Sequence, residues 1–173
     1  MITEPDWKSC GVSSPVPKDI RAAIGTVVIF QGSIEVEFQT FVSVLAGVAP
    51  RVMDAATSQM SYKQLMALLS SLAFLRFGED TDLYNDFATV TARLNTFEAF
   101  RNSVAHAHWS PSVANPTRHD QAAKRKTKVK PKIGLKTTVE EFRLEDFELQ
   151  LKKAAFYQAE LRKLLQRVVR GVA

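Results

Sequence analysis

Residues 82–109, DLYNDFATVTARLNTFEAFRNSVAHAHW, decide how this chain is read. Leu83, Phe87, Val90, Leu94 and Phe97 recur in alternating steps of four and three, the spacing of a helix that lays one apolar seam on a neighbour. Continued, the same series reaches Arg101, Val104 and His108, so polar groups take over a line of core positions. A guanidinium cannot shed its charge to escape burial, and Arg101 must meet an anion or water. Glu98, Asn102 and His106 stand four apart on the adjoining line, where helical side chains stack on one another. One account of Arg101 is an ion pair at a helix end, with Glu98 or with Glu35 or Glu37 of the first helix as its partner. The other is a site: a donor fork, an amide and two imidazoles within eight residues.

Outward from this helix the pattern stays helical. In the stretch 17–47, Ile20, Ile24, Val27, Ile34, Phe38, Phe41 and Leu45 recur at helical intervals between Pro17 and a stop at Gly47. A short helical piece follows around PRVMDAAT. Ser61 and Gln64 then have capping-box spacing ahead of a helix that Gly78 ends, and Asp80 or Thr81 caps the quoted one. The last helix, roughly 144 to 170, repeats Phe147, Leu151, Ala154, Leu161, Leu165 and Val168, with acids in its first turns and arginines at its end, as the helix dipole favours. Between the two, SPSVANPTRHD reads as loop. The segment KRKTKVKPKIGLKTTVEEF alternates on either side of PKIG, which suits a two-stranded ribbon turning at Pro131 and Gly134. The expected fold is all-α: one domain over 1–173, a bundle of four to five helices with an N-terminal tail over 1–16 and a small basic β-ribbon or loop insertion over 110–142 before the last helix.

Composition agrees with a single folded domain. The chain has 173 residues, 46% hydrophobic and 24% charged, with seven Gly and seven Pro. One cysteine excludes an internal disulfide and any zinc site built from several thiolates. No span reads as a membrane helix and the first ten residues lack a secretory pattern, so the expectation is a cytoplasmic protein with no membrane contact. The net charge of +5 is local: eight of the 23 Lys/Arg lie between Arg118 and Lys136 against Asp120 alone, leaving 15 basic and 17 acidic residues elsewhere. Lys124, Arg125, Lys126, Lys128, Lys130 and Lys132 form either an edge blunted by lysines or a surface for a polyanion such as RNA. His106, His108 and His119 have no accompanying Cys or clustered carboxylates, so no metal is implied. No phosphate-loop or dinucleotide glycine pattern is present, and no cofactor is expected.

RNSVAH, residues 101–106, resembles the R-N-x-x-x-H form of the Arg-x4-6-His signature of HEPN domains, small all-helical proteins whose motif begins on a long helix and ends near its terminus. The layout is similar too, from the long first helix to a variable insertion before the last. The resemblance implies a metal-independent endoribonuclease, a toxin or defence factor, that works as a homodimer with two motifs lining one cleft. It further implies a cognate antitoxin or nucleotidyltransferase as partner. It assigns catalytic roles to Arg101, Asn102 and His106, with His108 admitted by the spacing and Glu35, Glu37 and Glu98 in support. Such roles suit the chemistry, since imidazoles titrate near neutrality and a guanidinium bonds two phosphoryl oxygens at once. Five residues on one ideal helix put Arg101 and His106 about 140° apart, which calls for an unwound helix end or a facing second copy. A non-catalytic RNA-, nucleotide- or protein-binding helical dimer is the alternative.

Overall fold

The computed structural model describes residues 16–79, 81–130 and 134–171, with the side chains of 128–136 outside the described part. Five helices are present among these residues: α1 Lys18–Ala46, α2 Pro50–Thr57, α3 Tyr62–Phe77, α4 Asp82–Ala105 and α5 Leu144–Val169. The expected helical bundle with one insertion before the last helix is there. The insertion, however, is a three-stranded antiparallel sheet in the order β1 His108–Pro111, β2 Gln121–Lys130, β3 Gly134–Arg143. The two-stranded ribbon or loop is therefore corrected to three strands: β1 lies in what reads as helix end and loop. Four residues are too few for a period-two signal to show in sequence. Pro131 lies outside the described residues, and Gly134 opens β3.

The helix ends follow local chemistry. Gly47 adopts φ 65, and the Gly47 and Val48 amides donate to Val44 and Ser43, closing α1 with a left-handed cap that a Cβ would strain. Ser61 and Gln64 form the expected capping box, each satisfying the other's backbone amide. Thr81 accepts from the Tyr84 amide and caps α4; Asp80 lies outside the described residues.

α1 runs through the middle and packs on α3, α5, α2 and α4, while α4 lies along α5. Ile20, Val27, Ile34, Phe38 and Phe41 of α1 are fully buried and meet the α4 seam of Leu83, Phe87, Val90, Leu94 and Phe97. An eighteen-residue window of α1 has mean hydropathy 1.2, apolar enough by length and composition to cross a membrane, which the sequence reading did not expect. Much of that apolarity is committed to the core. Its opposite face nevertheless exposes Ile29 (77%) and Val36 (60%).

An aromatic cluster joins the sheet to the helices. Trp109 of β1 meets Phe142 of β3 edge-on at 5.6 Å, Phe142 meets Phe147 of α5 at 5.7 Å, and Phe147 meets Phe100 of α4 at 6.0 Å. Ala122 of β2 is in the same core. The sheet is thus anchored at the C-terminal end of α4.

Candidate functional site

α4 ends at Ala105, and His106 is its C-cap, with φ −103 and ψ 13 and its amide donating to Asn102. Only Ala107 separates it from β1. The turn is held by Trp109, whose indole N–H donates to the Val104 carbonyl at 2.9 Å, one of the carbonyls a helix end leaves without a partner. His108 is therefore on a strand and not on the next turn of α4. There it stands directly opposite Arg125 of β2. His106, His108, Arg125, Lys126 and Thr127 line one open recess. Both imidazoles, Arg125 and Lys126 are exposed, and among the described residues Arg125 and Lys126 have no ion-pair partner.

Arg101 lies elsewhere. Its Nε donates to Glu98 Oε2 at 3.1 Å and a terminal nitrogen to Glu98 Oε1 at 2.8 Å, a two-pronged pair within one helical turn. Glu35 of α1 is 3.9 Å away. The Arg101 and Glu98 side chains are 21% and 13% exposed. Asn102 Nδ2 also donates to Glu98 Oε1, at 2.8 Å, so Glu98 organises both motif residues. Burial pushes the Glu98 carboxyl above the ordinary carboxylate range, an effect that Arg101 and Asn102 oppose. Tyr62, at the start of α3, borders this cluster. Its hydroxyl is buried with no hydrogen-bond partner among the described residues, and burial, then Glu98 and Glu35, push its ionisation upward. The carboxylates that form the alternative account of Arg101 thus take it up, and Arg101 does not line the recess of the imidazoles.

No family model, curated protein or solved structure matches this chain. The site accordingly stands on its geometry and on the six residues of the motif.

Two assigned residues need correction. Lys124, expected to face RNA, is 5% exposed: its Nζ donates to Ser103 of α4 at 2.8 Å, pairs with Glu140 of β3 at 2.6 Å and sits 4.4 Å from the centre of the Phe142 ring. It ties the sheet to α4. The signal was in the alternation, because Lys124 shares a strand face with the core residue Ala122. Glu37, grouped with Arg101, instead accepts from Gln158 at 2.7 Å and pairs with Arg162, both on α5. Glu35 and Glu37, two residues apart, necessarily point about 200° apart on a helix. The side chains of Lys128, Lys130 and Lys132 lie outside the described residues. Thr127 joins the recess without having been singled out, since a lone threonine in a strand carries no signal.

Proposed function

We propose that this chain is an RNA-cleaving protein of the HEPN type, a metal-independent endoribonuclease that holds a phosphodiester at His106 and His108. One observation carries the reading: two imidazoles and two unpaired cations converge on one open recess at the end of the motif helix. In the reaction the 2′-hydroxyl passes its proton to one imidazole as its oxygen bonds to phosphorus. The bond from phosphorus to the 5′-oxygen breaks, and that oxygen takes a proton from the other imidazole. The products are a 2′,3′-cyclic phosphate and a 5′-hydroxyl, with no net change in protons. Lys126 and the basic strand beyond it attract the polyanion in a salt-dependent, sequence-tolerant way. By the same reading the protein serves as a toxin or defence factor in the cytoplasm, with a cognate antitoxin or nucleotidyltransferase as partner.

A second copy of the chain fits the exposed face of α1. Gly25, Ile29, Gly32 and Val36 follow steps of four, three and four on that face, and a Cβ built on either glycine meets nothing within 4 Å. Each such glycine costs about 0.5–1 kcal/mol in a helix interior, a cost that close approach of a partner helix offsets. Glu35, next to Val36 in α1, lies 3.9 Å from Arg101, so the motif cluster borders this helix.

The test is cleavage of an oligoribonucleotide in EDTA, with the ends identified by mass. Cyclic phosphate ends are expected, together with their loss in folded His106→Ala and His108→Ala and no cleavage of the all-deoxy oligonucleotide. Undiminished cleavage in both variants removes the assignment. The Arg101–Glu98 pair favours a second reading, a non-catalytic RNA-binding dimer, which predicts salt-sensitive binding without turnover.

A further inference from the structure

We infer that Arg125 is the guanidinium that grips the phosphodiester at the two imidazoles, the role that the motif alone gives to Arg101; the inference deepens the ribonuclease reading and rests on it. Arg101 has one two-pronged edge of its guanidinium, Nε with a terminal nitrogen, engaged by Glu98 at 3.1 and 2.8 Å. A phosphate brought to Arg101 meets the Glu98 carboxylate on that edge and Glu35 at 3.9 Å, and these like charges repel it. Arg125 differs: it is exposed and, among the described residues, unpaired.

Its position is fixed by the sheet. His108 and Arg125 are directly opposed Cα partners on neighbouring antiparallel strands, so their side chains leave the same face of the sheet. Thr127, two residues on, continues that face. His106 reaches the recess from the helix side, through the cap and the single residue Ala107. Because β1 begins at His108, β2 beyond Arg125 has no strand beside it on that side, and its edge borders the recess. A phosphate bound in that recess meets a two-pronged donor from Arg125, with both imidazoles among the residues that line it. The neighbouring cation cannot substitute, since Lys124 Nζ is spent on Ser103 and Glu140.

The experiment measures binding and turnover separately on the full chain. A fluorescent 2′-O-methyl oligoribonucleotide, which has no free 2′-hydroxyl, reports binding by anisotropy, and ring NMR signals of His106 and His108 report contact. Arg125→Ala is expected to weaken binding about tenfold or more, the loss of charge-assisted hydrogen bonds to one phosphate, and to suppress the ring shifts. Arg125→Lys should restore part of the affinity. Arg93→Ala, which removes an equal charge from the groove between α4 and α5, should change binding less than twofold. Circular dichroism verifies folding, and Arg125→Gln serves if the alanine variant is not folded. Binding and ring shifts in Arg125→Ala equal to those of the wild type overturn the inference, even where the wild type cleaves RNA. Loss of both in Arg125→Ala, with a wild type that never cleaves the unmodified RNA, sustains the phosphate site and removes the nuclease.

Discussion

Arg101 occupies a core line because it brings its own counter-ion one turn earlier in the same helix. Glu98 lies three residues before it, near enough for both prongs of the fork, and Glu35 of α1 adds a second carboxylate at 3.9 Å. Removing one partner leaves the other part-buried without its two-pronged bond. Arg101→Ala and Glu98→Ala should each lower stability by about 1–3 kcal/mol, and the double variant should cost less than their sum, as a denaturant-melt cycle would measure. Glu98 also gives a pH signature. Its folded-state ionisation is raised, chiefly by burial, so as pH climbs past the ordinary carboxylate value the unfolded chain loses this proton first. Stability therefore declines across the window between the ordinary and the raised value, and is unaffected by this group below it. Glu98→Gln should flatten that decline in thermal melts taken at stepped pH; an unchanged slope contradicts the burial argument.

The join between α4 and the sheet is where element chemistry shapes the recess. Ala105 ends the helix, His106 turns the backbone, and Trp109 closes the join by donating to Val104 while its ring packs on Phe142 and Phe147. Lys124 supplies a second tie, from β2 to Ser103 on the last turns of α4. Trp109→Phe keeps most of the ring packing and deletes the indole donor. It should cost about 1 kcal/mol and speed amide exchange selectively in the last turn of α4 and in β1. Uniform exchange changes would show that the indole bond does not hold the join. The Ser61–Gln64 capping box, the glycine stops and the α4 seam were legible because each is set within a few residues. The strand β1 and the burial of Lys124 were not, since both depend on pairing across the 108–125 register.

For the whole molecule, the proposed function draws on two surfaces: the apolar stripe of α1, and Arg125 and Lys126 of β2. Ile29 and Val36 stand out of the chain's own core, and Val28 beside them is half exposed. If the protein pairs as proposed, Ile29→Glu with Val36→Glu should convert that dimer to monomer in sedimentation at micromolar concentration while leaving the helical signal intact, because both side chains are largely exposed. A wild type that sediments as a monomer excludes pairing through this face.

Sequence alone determined the helices, their order, the caps that begin α3 and α4 and the concentration of charge before the last helix. Those features arise from periodicity, capping and composition, which act over a few residues. Tertiary structure decided which charges are spent and which are free. Lys124 and Arg125 are neighbours in one basic run, yet alternation on a paired strand buries the first against Ser103 and Glu140 and turns the second to the imidazoles. Arg101 and Arg125 are equal in charge, but a carboxylate within reach neutralises one and not the other. Proximity across strands and helices sets that difference, and no spacing along the chain encodes it.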